Sequence, residues 1–323
     1  LSKTIDAVAA QNYPHGKFEL IIVDDGSDRD DIEGLVRAKA KILKNIRYFR
    51  QGPLGPTTGR NAGIRKSTGQ IIALLDNDCL PRPDWLREIT APLEGKAAKS
   101  GGIIFTEGKI YTDSPRRLFT NAPENLSGGK FITANMAFTR DSIFRAGGFE
   151  ERLVFWREDS ELFFRAMELG HWKFAPKAVV YHPLRNEKPW IVLRHLFLQG
   201  SEWLCLLKHP KKHIRYLGMD IFMNLAKSAI AYAFIALAWI GITIANPVVV
   251  AGAVLLKSGV DLLLLRRAGV NMLAPDEGGA AGRLAAYMLL CWVRDIMFPP
   301  CFAWGFFDGL GRLLKKPKGT VGL

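Results

Sequence analysis

The chain has 323 residues, 48% of them hydrophobic, with 44 Lys and Arg against 31 Asp and Glu for a formal net charge of +13. Its mean hydropathy of +0.05 is high for a soluble enzyme. These figures exclude a disordered tail, a collagen-like fibre and a disulfide-knotted miniprotein, and leave one large or two smaller compact units with enough apolar residues for a sizeable core. Cys79, Cys205, Cys291 and Cys301 are scattered without a CxxC pair, so neither a zinc ribbon nor a disulfide framework is expected, and a reducing compartment fits.

The chain opens at Leu1 without a Met, inside what reads as a running pattern, and the expectation is that a further N-terminal segment precedes it. Phe18 to Val23 (FELIIV) is a short apolar run into Asp24-Asp25-Gly26-Ser27, which predicts a buried strand ending in a turn. Asp28 is placed to cap a helix in which Ile32, Leu35, Val36 and Leu43 recur at helical spacing. Ile46 to Phe49 reads as a second strand, and Thr57 to Lys66 as a helix carrying Arg60-Asn61. Ile71 to Leu75 reads as a third strand, ending in Asp76-Asn77-Asp78. Strand and helix in alternation predict an α/β unit with a largely parallel sheet.

In such sheets the ligand crevice lies beyond the carboxyl ends of the strands, so Asp24-Asp25 and Asp76/Asp78 are delivered to one rim. Four carboxylates there repel one another, and a divalent cation resolves the conflict. An Asp-x-Asp pair suits Mg²⁺ or Mn²⁺, whose usual company is water and a diphosphate. Each acidic run taken alone is equally a turn, with Asp24-Asp25-Gly-Ser also offering a helix cap; the two together on parallel strands favour a site. Arg60 is either a solvated helix residue or a partner for phosphate or ribose. Glu158-Asp159 precede Leu162, Phe163, Ala166 and Leu169, an apolar helical face ending at Gly170. Both carboxylates therefore fall in a first helical turn, where acidic residues also serve simply as dipole partners.

Beyond about residue 200 the composition changes. Ser228 to Leu256 contains no charged residue and is interrupted only by Asn246-Pro247. Two transmembrane helices, about 226–245 and 248–265, put Lys208 to Arg215 and Arg266-Arg267 on one side, as the positive-inside rule requires. The last apolar stretch carries Arg294-Asp295 and a Pro299-Pro300 break, and is expected to be an amphipathic or re-entrant segment about 284–310 with Trp292, Trp304 and Phe306 at headgroup depth. The excess positive charge is assigned to membrane lipids, since no aromatic-and-basic motif points to nucleic acid. The expected division is a catalytic domain over 1–200 and a membrane-associated region over 201–323.

Seven pieces in order, Gln11-Asn12-Tyr13-Pro14, Val23 to Ser27, Gly59 to Gly63, Gly69-Gln70 with Leu75 to Asp78, Gly147 to Glu150, Glu158-Asp159 with Arg165, and Tyr181-His182, resemble glycosyltransferase family 2 on the GT-A fold, over roughly residues 1–185. The resemblance implies a nucleotide-diphospho-sugar donor, with Asp25 near the base or ribose, Asp24 in support, and Arg60, Asn61 and Asp76 also on the donor side. It implies Mn²⁺ or Mg²⁺ held by Asp78, Asp76 and His182. Asp159 would take the proton from an acceptor hydroxyl, with Glu158 in reserve, and one displacement would invert the anomeric carbon. Asn135 would lie in the region that shapes the acceptor pocket, and Trp156 is placed either to stack on a sugar ring on the acceptor side or to serve as a core Trp.

Family members begin with a strand carrying a Pro-x-Tyr/His-Asn type motif, absent here, so the expected fold is α/β: a GT-A domain lacking its first strand, followed by C-terminal transmembrane or interfacial helices. The expected function is metal-dependent, inverting sugar transfer to a hydroxyl acceptor, lipid-linked or a growing cell-surface polysaccharide, with the catalytic domain on the cytoplasmic side of the inner (plasma) membrane. Two spans are too few for the channel of a processive synthase, so one or a few sugars are transferred. The alternative is an inactive GT-A-like membrane scaffold in a polysaccharide assembly complex, against which the intact acidic clusters argue. A haloacid-dehalogenase-type phosphatase would explain the strand before Asp76, but Cys79-Leu80 follow where its motif continues to Thr.

Overall fold

The structure is a computed structural model and describes residues 1–28, 31–94, 102–153, 156–267, 270 and 280–315. The chain forms two compact units, one chiefly Leu1–Asp113 with Pro123–Pro183, the other Ser114–Ala122 with Leu184–Leu314.

The first unit begins with α1 (Ser2–Ala9), β1 (Leu20–Asp25), α2 (Ile32–Lys39), β2 (Ile46–Gln51), α3 (Pro56–Lys66) and β3 (Ile71–Leu75). The cap of α2 falls on Asp31 rather than Asp28: its Oδ1 accepts from the Gly34 N–H at 2.7 Å. β1 and β2 pair in parallel from Leu20↔Ile46 to Asp25↔Gln51. The parallel sheet expected over all three strands does not form. β3 instead runs antiparallel to β7 (Asn135–Thr139), in a five-stranded sheet of order β3-β7-β5-β8-β4 that contains β4 (Leu80–Pro81), β5 (Ile103–Thr112) and β8 (His171–His182). In it β5 and β8 are the parallel neighbours. An apolar run marks a buried strand but carries no record of its partner or direction, which is why the sequence pattern misplaces β3. β1 and β3 each keep one edge without a ladder partner among the described strands.

The core of this unit is aromatic. Phe163, on α6 (Glu158–Ala166), stacks on Phe131 at 4.7 Å and meets Phe105 edge-on at 4.9 Å between ring centroids. That burial seats α6 against the sheet and fixes where its first turn lies. At the other end of α6, Arg165 forks onto Glu161 and donates to the carbonyls of Ala146 and Gly148. The helix is thereby tied to the turn that follows α5 (Arg140–Arg145).

In the second unit β6 (Thr120–Asn121) pairs antiparallel with β9 (Arg185–Asn186). A 3₁₀ stretch over Pro189–Leu198 leads into α7 (Gln199–Lys208), α8 (Pro210–Thr243), α9 (Pro247–Arg267) and α10 (Ala280–Leu314). Among the described residues three helices, α8, α9 and α10, are long and apolar enough to cross a membrane. Asn246 closes the α8–α9 turn, its Oδ1 accepting from the Val248 N–H at 3.0 Å, with Pro247 opening α9.

α10 is continuous through Pro299-Pro300, where the sequence predicts a break. Pro300 has no N–H for the carbonyl of Ile296, and the Tyr232 hydroxyl on α8 donates to that oxygen instead, at 2.7 Å. α7 and α10 approach through glycine. A Cβ on Gly309 would lie 2.7 Å from that of Trp203, and one on Gly305 would overlap Gln199. Between α9 and α10 lies a buried ionic group: Lys257 Nζ is 2.7 Å from both oxygens of Asp261 and 3.2 Å from Asp295, which also accepts from Arg294 at 2.6 Å. A charge in such helices is retained only when paired.

Candidate active site

Arg60 is the hub of the site. α3 lies against β1, with Gly59 and Gly63 facing Val23. The Arg60 guanidinium is 3.2 Å from Glu158 Oε1, 3.5 Å from Asp76 Oδ1 and 3.8 Å from Asp159 Oδ1, above the Phe149 ring. Three elements remote in sequence, α3, the end of β3 and the start of α6, thus bring one cation to three carboxylates. The imbalance shows in the titration. Burial would lower the Arg60 pKa, but Asp159, Asp76 and Glu158 raise it above the ordinary value. Burial raises Asp76, Arg60 opposing and Asp159 reinforcing. Glu158 is pushed up to about 8, by burial first and the Asp159 charge second, against the pull of Arg60.

Asp159 is held differently. Its Oδ2 accepts from both the N–H and the hydroxyl of Thr133, at 3.0 and 3.2 Å, while Oδ1 is buried with no hydrogen-bond donor. Just ahead of α6, Trp156 (φ 73°) and Arg157 (φ 66°) are both left-handed, a conformation side-chain-bearing residues rarely adopt. The Arg157 guanidinium lies 4.8 Å from the Trp156 ring centroid.

The second group centres on His182. Its Nδ1 lies 3.0 Å from the Pro183 carbonyl, which assigns a ring proton to Nδ1, and Nε2 faces Asp78, at 3.6 Å, and Asp76, at 3.9 Å. Those separations are too long for hydrogen bonds. Together with the Cys79 thiol, the ligand atoms lie within 4.8 Å of one another. Metal–ligand bonds of about 2.0–2.3 Å put two ligands of one ion at most about 4.6 Å apart, so the group needs only a small side-chain contraction to hold a divalent cation. Carboxylate and imidazole suit Mn²⁺; a thiolate is a softer donor than Mg²⁺ takes.

The remaining sequence-derived residues stand outside these two groups. Asp24 caps its own turn, accepting from the Ser27 N–H and the Tyr48 hydroxyl, both at 2.8 Å. Burial opposes its charge, but Ser27, Tyr48 and Arg50 outweigh burial and hold the carboxyl below its ordinary value. Asp25 accepts from Gln51 and from the N–H groups of Leu54 and Gly55, fixing the loop into α3. Asn61 is buried, its amide exchanging hydrogen bonds with the backbone of Phe149 and donating to Glu151. Asn135 is fully buried, accepting from Trp85 and donating to the carbonyls of Lys109 and Ala178. Cys79 and Thr133 carry no motif that singles them out. Cys79 is signalled only by following Asp78, and Thr133 only by standing two residues before Asn135.

Residues 1–150 match the family model described as Glycosyl transferase family 2. This domain belongs to that family. Among relatives of the glycosyltransferase domain, "Glycosyltransferase AglE" of Haloferax volcanii is 30% identical over 198 residues, 57% of this chain and 63% of that protein. Chondroitin synthase of Escherichia coli is 29% identical over 208 residues, 51% of this chain and 30% of that one. This chain therefore spans less than two thirds of the length of either relative. Among solved structures, S. aureus TarS 1-349 aligns over 90% of this chain and 85% of its own with a TM-score of 0.48 and 16% identity.

Proposed function

We propose that this chain is a metal-dependent, inverting glycosyltransferase that moves a sugar from a nucleotide-diphospho-sugar to a hydroxyl acceptor, lipid-linked or a growing saccharide. The observation that carries the reading is the convergence of Arg60 with Asp76, Glu158 and Asp159, next to the Asp76, Asp78 and His182 group.

Arg60 offers a guanidinium to the donor phosphates or ribose. Asp25 stands at the rim of β1 beside the loop into α3, on the nucleotide side, with Asp24 supporting the turn and Asn61 holding the 149–151 segment behind the guanidinium. Asp78, Asp76 and His182 hold Mn²⁺ or Mg²⁺, which supplies charge stabilisation to the departing nucleoside diphosphate. Asp159 is the base: Thr133 fixes Oδ2, and Oδ1 is left to accept the proton of the attacking hydroxyl. Glu158, pushed up to about 8, keeps its proton near neutrality. One base opposite one leaving group gives inversion. Trp156 is the acceptor-side stacking residue, and Asn135 shapes that side from within the core.

Helices α8 and α9 are read as spans of an inner (plasma) membrane and α10 as the amphipathic or re-entrant segment, with Lys208 to Arg215 and Arg266-Arg267 on the cytoplasmic side, where nucleotide sugars are at hand. The test is calorimetric titration of UDP, GDP and their sugar conjugates, with and without Mn²⁺, into detergent-solubilised protein and Asp78→Ala. Metal-dependent binding of one nucleotide, lost in the variant, is expected. A folded protein that binds none of them is a scaffold, not a transferase.

A further inference from the structure

We propose that the outer face of the β4–β8–β5 sheet carries a second saccharide subsite, separate from the transfer site and suited to an acidic sugar. Consecutive strand residues point to opposite faces of a sheet, so Tyr181 and His182 at the end of β8 serve different sides. His182 is buried beside Asp76 and Asp78, whereas Tyr181 is 39% exposed. Tyr181 stands in register with Tyr111 on β5 and Leu80 on β4. The two tyrosine rings stack with centroids 6.0 Å apart and planes 26° from parallel, forming an aromatic platform at the surface.

Beside that platform lies an open cavity of about 510 Å³, within the range of small-ligand sites, lined by Arg82, Asp84, Tyr111, Lys177, Val179 and Tyr181 among others. Its polar groups are those a sugar acid requires. The partly exposed Asp84 carboxylate makes no side-chain hydrogen bond among the described residues. Its ion-pair partner Arg82 stands 3.6 Å from it, beyond hydrogen-bond range, so a sugar hydroxyl has an acceptor to donate to. Arg82 balances the charge of Asp84. Lys177 makes no ion pair among the described residues, and its charge is left over for the ligand. Aromatic faces pack against the C–H face of a pyranose, hydroxyls meet Asp84 and Arg82, and a sugar carboxylate meets Lys177. The cavity thus fits an acidic residue of a glycan, held away from the bond being made.

The experiment is calorimetric titration of the full chain in detergent with tetragalacturonic acid, and with maltotetraose as the neutral control, each with and without saturating UDP and Mn²⁺. The variants are Tyr181→Ala and, on the charge alone, Lys177→Ala. Tetragalacturonic acid is expected to bind more tightly than maltotetraose, to lose about tenfold in affinity in each variant, and to be undisturbed by UDP. UDP–Mn²⁺ binding is expected to be unchanged in both variants, while Asp78→Ala loses UDP and keeps tetragalacturonic acid. Failure of tetragalacturonic acid to bind folded protein, equal binding of the neutral sugar, insensitivity to both substitutions, or displacement by UDP would each overturn the proposal. Loss of nucleotide binding alone bears on the transferase reading and leaves this subsite standing.

Discussion

Thr133 grips one carboxylate oxygen of Asp159 with two donors and leaves the other oxygen, 3.8 Å from Arg60, without any. Of these donors only the hydroxyl can be removed by substitution. Thr133→Val keeps the shape and the backbone N–H, and frees the carboxylate to turn. Losing one hydrogen bond to a charged group is worth about 1.5–3 kcal/mol, so turnover should fall by at least about tenfold. The donor KM should stay within about twofold of wild type. Steady-state kinetics with the nucleotide sugar that binds will show this; a change in donor KM with turnover intact would remove Thr133 from the positioning of the base.

Glu158 sets a pH dependence of stability. In the unfolded chain it titrates near 4.5 and in the folded protein near 8. Between these values the folded protein holds a proton that the unfolded chain has released, so stability falls as pH rises through this window and levels off above about 8. Glu158→Gln cannot lose that proton and should flatten the profile. Melting temperatures of metal-free protein from about pH 5 to about pH 8.5 measure it, and superimposable profiles for the two proteins would contradict the assignment.

Asn61 should report on folding more than on donor affinity. Its amide joins α3 to the Phe149 backbone in both directions, and Asn61→Ala strands a buried N–H and a buried carbonyl. The expected loss is about 2–3 kcal/mol of stability, read by denaturant unfolding. Nucleotide affinity of the protein that remains folded should change by no more than about threefold. A large affinity loss at unchanged stability would put the amide in contact with the donor.

In the second unit, Lys257→Met leaves Asp261 and Asp295 facing each other without their shared cation. Breaking a buried pair from one side costs about 3–5 kcal/mol, whereas removing every member costs far less. The double variant Lys257→Met, Asp261→Asn removes both partners of one pair and leaves Asp295 with Arg294, and should therefore melt at a higher temperature in detergent than the single one. The reverse order would mean that water reaches the group.

Much of this molecule is legible in its sequence, for identifiable reasons. The strands ending at Asp25 and Leu75, and the helix beginning at Glu158, show up because buried runs and helical spacing are local patterns. The antiparallel pairing of β3 with β7 does not, because pairing depends on residues 60 or more positions away. Within the site, residue types announced Arg60 and the carboxylates, but not their division of labour. That Asn135 is consumed by Trp85 and two carbonyls, and that Thr133 holds Asp159, are facts of tertiary contact with no local signature. The continuity of α10 is of the same kind: two adjacent prolines predict a break, and only a hydroxyl from another helix removes the need for one.

The ionic group between α9 and α10 also bears on the order of assembly. During synthesis α9 is complete before α10 exists. At that stage Lys257 has Asp261 one turn away on its own helix, so the pair can enter lipid together as a neutral unit. Asp295 has a comparable local companion in Arg294. On the membrane reading proposed above, each couple enters lipid with its own provisional counter-charge, and only afterwards do the two merge through Lys257 and Asp295. A chain in which Asp261 alone is lost would meet its difficulty at the translocon, as a failure of α9 to integrate, before any question of the finished protein's stability arises.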